Sequence, residues 1–107
     1  MTFKTMGPLS LVTTASVRRT TTASVTSAGL LLIPEEPNRI GFYIWNNSSN
    51  SLYFSFDTTA NSGFPTAILA TFATHVSIGP VVWTGPISGI RNGAATGTVT
   101  VWELLSS

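Results

Sequence analysis

Apolar and polar positions alternate along this chain in short runs that Gly, Pro, Asn and Ser interrupt. A strand sends successive side chains to opposite faces, so an alternation with period two predicts strands. Residues 39–46 are the clearest case. Ile40, Phe42 and Ile44 share one face, Gly41, Tyr43 and Trp45 the other, and both faces are largely apolar. Such a strand is either central in a sheet or has one face in an interface. The run 46–51, Asn-Asn-Ser-Ser-Asn-Ser, has turn chemistry, since Asn and Ser bond to the local backbone and Asn tolerates positive φ. Leu52, Phe54 and Phe56 then alternate with Tyr53 and Ser55, so 39–56 reads as a hairpin with a long polar connection. A loop is expected from Asp57 to Pro65.

Further strands are expected over 66–72 and 75–78, although Ala67-Ile68-Leu69-Ala70 also fits one helical turn. Gly-Pro pairs at 79–80 and 85–86 bracket a short strand over 81–84, because Pro cannot donate to a ladder and Gly supplies turn dihedrals. Residues 87–90 and 97–104 complete the series. The last of these sets Val99, Val101 and Glu103 opposite Thr98, Thr100, Trp102 and Leu104. A long strand is also expected over 23–33. Seven to eight short antiparallel strands with turn signals between them predict an all-β domain, a β-sandwich or small jelly roll, over 23–107. Residues 1–22 differ in kind. Thr13-Thr14-Ala15-Ser16-Val17 recurs eight positions on as Thr21-Thr22-Ala23-Ser24-Val25. This Thr-rich segment has few large apolar groups to drive its own folding, and is expected to be an extended N-terminal arm that orders by adding a strand to a neighbour's sheet.

Composition supports the strands and restricts the function. Thirty of 107 residues are Ser or Thr, while helix formers are scarce: one Lys, no Gln and three Glu. Four acidic and five basic side chains give a net charge of +1, where a freely diffusing domain has about a quarter of its residues charged. Mean hydropathy is +0.33 and no apolar run reaches membrane-span length, so the apolar residues are expected in a core and in buried interfaces. No membrane is expected as a partner. Lacking cysteine, the chain has no disulfide to staple a thin core, which leaves oligomerisation as the stabiliser and suits assembly in a reducing cytoplasm. The first residues carry one Lys and no sustained apolar stretch, and do not read as a signal peptide.

Candidate chemistry is sparse. His75 is the single histidine, and one His with four scattered carboxylates offers no metal-ligand spacing. Neither a catalytic residue nor a cofactor is assigned. Glu35 and Glu36 are adjacent, face opposite sides of an extended segment, and are expected to be solvated. Arg18 and Arg19 form the one basic pair; no basic stripe for nucleic acid exists, and a salt bridge to an acidic partner is the better functional reading. Tyr43, Trp45, Tyr53, Trp83 and Trp102 are expected to fill the core or a subunit seam, with a sugar-stacking platform as the alternative.

The block RIGFYIWNNSSNSLYFSF at 39–56, followed by GPVVWTGPISGIRNGAATGTVTVWEL at 79–104, resembles small virion structural proteins of tailed bacteriophages, especially the decoration (cement) proteins on the outside of the capsid. The resemblance implies a non-enzymatic homo-oligomer, most simply a trimer, of β-rich subunits. An N-terminal arm would contact the shell, and the subunit would bind the major capsid protein at the capsid surface after assembly in the host cytoplasm. Val17, Arg18, Arg19 and Val25 are then the candidate capsid contacts. A carbohydrate-binding module and a head-tail or tail component are the alternatives.

Overall fold

The computed structural model describes residues 15–63, 65–78 and 81–106. Within them the chain is all-β, with eight antiparallel strands: β1 (Ala15–Val25), β2 (Leu30–Ile33), β3 (Arg39–Asn47), β4 (Leu52–Ser55), β5 (Ala67–Leu69), β6 (Thr74–Ile78), β7 (Ile87–Ile90) and β8 (Gly97–Ser106). Two four-stranded sheets form, ordered β1-β8-β3-β6 and β2-β7-β4-β5. The pairings β1–β8, β2–β7, β3–β6 and β4–β5 describe one long hairpin with its tip between β4 and β5. Rolling that hairpin brings β8 against β3 and β7 against β4. This is the strand order of a jelly roll, a small β-sandwich closed by two Greek keys.

Period two sorts the side chains as the sequence suggests. Phe42 and Ile44 of β3, Val99 and Val101 of β8, Leu52 and Phe54 of β4, and Ile87 of β7 meet between the sheets with Val25, Leu32, Ile33 and Leu69. Each fully buried Val, Leu, Ile or Phe side chain contributes about 1.5–3 kcal/mol of transfer free energy.

Four expectations change. Residues 15–22 belong to β1, which pairs along β8 of the same chain, so this part of the expected arm completes its own sheet instead of a neighbour's; residues 1–14 lie outside the described residues. The strand expected over 23–33 breaks at a turn, where the Gly29 amide donates to the Thr26 carbonyl at 3.2 Å and Gly29 sits at φ 78°. That left-handed conformation suits a residue without Cβ. The hairpin expected over 39–56 does not form, because both edges of β3 are taken by β8 and β6, and the chain crosses to the other sheet after Asn47. Residues 81–84 form no strand: the Trp83 carbonyl accepts from Arg39 and the Thr84 carbonyl from the Glu36 amide. Ala67–Leu69, for which a helical turn also fitted, is a strand.

Candidate functional site

β3 and β8 are sheet neighbours, and their register sets Tyr43 opposite Trp102 on the outer face. The two rings meet edge to face, centroids 4.7 Å apart at 71°, and Trp45 lies nearly parallel to Trp102, 6.2 Å away. The same face continues onto β6, where Val76 stands opposite Tyr43 and Ile78 opposite Gly41. Leu104 flanks Gly41 on the other side. Having no side chain, Gly41 lets both pack close to the backbone: a Cβ there would come within 3.1 Å of Ile78 Cγ1 and 3.5 Å of Leu104 Cδ1. On this face lies a groove of about 300 Å³ lined by Arg18, Phe42, Tyr43, Ile78, Trp102 and Leu104. Arg18 is its one charged group. Chemically the groove offers apolar contact and ring stacking with a guanidinium at its rim.

Tyr43, Trp45 and Trp102 therefore lie outside the core, and fall together on one outer sheet face. Of the other two aromatic candidates, Tyr53 lies on the outer face of the second sheet, where its hydroxyl accepts from Asn92 Nδ2 at 2.9 Å. Trp83 sits in the 81–86 loop, stacked on Phe56 at 5.2 Å and 7°, its indole N–H donating to the Pro86 carbonyl. Neither joins the groove.

The expected capsid contacts separate in the same way. Arg18 is exposed on the groove face. Val25 is fully buried, because it lies on the inward phase of β1, and so is not a surface contact. The Val17 side chain lies outside the described residues. Arg19 points opposite to Arg18, and its guanidinium engages this chain's own carboxylates: Nε to Glu103 Oε1 at 2.8 Å, Nη2 to Glu103 Oε2 at 3.0 Å and Nη1 to Glu36 at 3.3 Å. Glu36, expected to be solvated, thus has an intramolecular partner, and the expected salt bridge from Arg19 to another protein is replaced by an internal one.

Sequence reasoning missed two buried polar clusters. Glu103 Oε2 also accepts from Arg39 Nε at 2.9 Å, and both side chains are fully buried. The rest of the Arg39 guanidinium donates to the carbonyls of Trp83, Gly85 and Pro34. Burial pushes the Glu103 carboxyl up, but hydrogen bonds and charge attraction from Arg19 and Arg39 outweigh it and hold the group below the usual carboxylate range. The hydrogen bond to Glu103 raises Arg19 above its ordinary value. The signal was available in the alternation of β8, which puts Glu103 on the face of Val99 and Val101; an inward carboxylate there requires a cation.

The second cluster contains no carboxylate. Arg91, 1% exposed, donates to the carbonyls of Val25, Asn50 and Ser51 and to Asn46 Oδ1. Asn46 Nδ2 in turn donates to the carbonyls of Asn50, Leu69 and Ala70. Burial lowers Arg91 from its ordinary value.

His75 faces inward beside the rings of Phe42 and Phe54, at 5.9 and 5.3 Å. Among the described residues no three His, Cys, Asp or Glu side chains group closely enough to hold a metal ion, and no helix is long and apolar enough to cross a membrane. Compared with protein-family models, curated proteins and solved structures, the chain matches none.

Proposed function

We propose that the protein is a non-enzymatic structural subunit of a tailed-bacteriophage virion, a decoration protein that binds the outer capsid surface as a homo-oligomer and stabilises the shell by bridging coat subunits. The observation that carries this reading is the apolar outer face of the β1-β8-β3-β6 sheet, where Tyr43, Val76 and Ile78 are each 39–55% exposed beside Trp45, Trp102 and Leu104. An apolar face on a small domain with so few charges is suited to burial against other proteins. The jelly roll agrees by analogy, since this architecture builds many capsid proteins and also many lectins. Mass spectrometry of virions purified from the phage that encodes the chain tests the reading. A fixed stoichiometry to the major capsid protein is expected, with release of the subunit lowering the temperature at which capsids break; absence from the virion overturns it.

One observation favours a second reading. Tyr43, Trp45 and Trp102 line up on one sheet face, and flat rings stack on the apolar faces of sugars. A glycan array with the wild type and Trp102→Ala separates the two. Binding to a defined sugar that the substitution abolishes supports a carbohydrate-binding module and counts against the decoration role.

A further inference from the structure

The turn between β5 and β6 holds a phenylalanine in a conformation that phenylalanine disfavours. Phe72 has φ 55°, and among the described residues it is the one non-glycine with positive φ. Its side chain is nevertheless 59% exposed. Strain of this kind persists only where surrounding structure over-determines it, and here the constraint is visible. The Phe72 amide donates to the Ser48 carbonyl at 3.1 Å, the Ala73 amide to Ala70 at 3.1 Å, and the Asn46 amide to Ala73 at 3.0 Å. Asn46 Nδ2 holds the Leu69 and Ala70 carbonyls, and Asn46 is itself fixed by Arg91. The buried Arg91–Asn46 cluster thus fixes the turn, and the turn presents an aromatic ring to solvent. A ring held rigidly before contact loses little conformational entropy on binding, as suits an interface anchor.

We propose that Phe72 of one copy seats in the groove between Tyr43, Ile78, Trp102 and Leu104 of the next copy, joining subunits head to tail. Size supports the match: an apolar cavity of roughly 150 Å³ admits benzene, and this groove offers about 300 Å³. Charge agrees, because among the described residues no carboxylate lines the groove and the charged group that does, Arg18, is a cation, which an aromatic ring attracts. On the groove side Tyr43, Val76 and Ile78 are 39–55% exposed, and on the anchor side Phe72 is 59% exposed, so each surface supplies an apolar centre for a contact whose rim is polar. Within one subunit β6 separates the turn that holds Phe72 from Ile78, and Thr74–Ile78 alone spans roughly 13 Å. Anchor and groove are therefore different surfaces, the heterologous arrangement that builds a ring where the rotation closes and a filament where it does not.

The contact rests on the homo-oligomer of the proposed function and supplies its geometry. Sedimentation of the full chain tests it with two variants. Phe72→Gly keeps the turn, since glycine accepts positive φ, and removes the ring. Ile78→Arg places a second cation beside Arg18 on an exposed edge strand. Each variant is expected to keep its far-UV circular dichroism spectrum and to associate at least ten-fold more weakly than wild type. Mixed, the two are expected to form a 1:1 dimer at concentrations where neither self-associates, because one retains the groove and the other the anchor. A mixture that stays monomeric overturns the head-to-tail contact. An oligomer that Phe72→Gly leaves intact overturns this contact alone, whereas a monomeric wild type overturns it together with the oligomer of the proposed function.

Discussion

Replacing Glu103 with Gln preserves the volume of the side chain and removes its charge. In the folded protein this carboxylate accepts three hydrogen bonds from Arg19 and Arg39 at 2.8–3.0 Å. The Gln amide keeps one acceptor oxygen and turns an N–H₂ toward guanidinium donors. Arg19 is 40% exposed in its side chain and can recover hydration; Arg39 is fully buried and cannot. Removing one partner of a buried ion pair costs about 3–5 kcal/mol, because the other charge is left uncompensated. With an unfolding entropy near 2.1 cal/mol/K per residue, that cost lowers the melting temperature of a 107-residue chain by roughly 13–22 °C. Thermal melts at pH 7 under identical protein concentration measure it. The double variant Arg39→Met/Glu103→Leu removes the uncompensated charge but also takes the donor from the carbonyls of Trp83, Gly85 and Pro34, so it is expected to recover only part of the loss. A drop of under about 4 °C for Glu103→Gln, which corresponds to about 1 kcal/mol on the same scale, refutes the argument that Arg39 depends on this carboxylate.

The same carboxylate sets an acid dependence. Its folded-state pKa lies below its unfolded value, so the unfolded chain binds the extra proton first, and stability is fully present above the ordinary Glu range and is lost as pH falls through the depressed folded value. Melting temperatures of the wild type are expected to fall below about pH 4, and Glu103→Gln is expected to lose most of that slope. Arg91→Met leaves the carbonyls of Val25, Asn50 and Ser51 and the Asn46 side chain without their donor; at about 1–3 kcal/mol per buried orphan, it is expected to leave little folded protein by circular dichroism. Ser88→Ala removes a fully buried hydroxyl that has no hydrogen-bond partner, and is expected to raise the midpoint of urea unfolding or leave it unchanged. Phe54→Ala, in the core, is expected to cost about 3–5 kcal/mol, and Trp102→Ala, on the outer face, distinctly less when the two are compared by urea unfolding.

Period two made β3 and β8 legible because Phe42 and Ile44, and Val99 and Val101, repeat an apolar residue at every second position, and it correctly gave the phase of these four; β7, Ile-Ser-Gly-Ile, has no such alternation and was marked by the turn signals on either side of it. Pairing was not legible in the same way. An Asn/Ser run between two strands serves equally for a two-strand hairpin and for a crossing between sheets, and what decides is Asn46, whose buried amide ties the crossing to the β5–β6 turn. Asn46 was read as a turn residue because its chemistry is local in most contexts; its partner Arg91 is 45 positions away. The aromatic face shows the reverse case. Alternation already placed Tyr43 and Trp45 opposite the core-facing Phe42 and Ile44, and the choice between core and outer face was settled by register, which sets Trp102 beside them and brings Ile78 and Leu104 to either side of Gly41. A glycine in an apolar strand looks like a weak ladder position when read along the chain. Read across three strands it is where Ile78 and Leu104 close onto the backbone, so a side chain at Gly41 would press its Cβ to 3.1 Å from Ile78 Cγ1 and displace a residue that lines the groove.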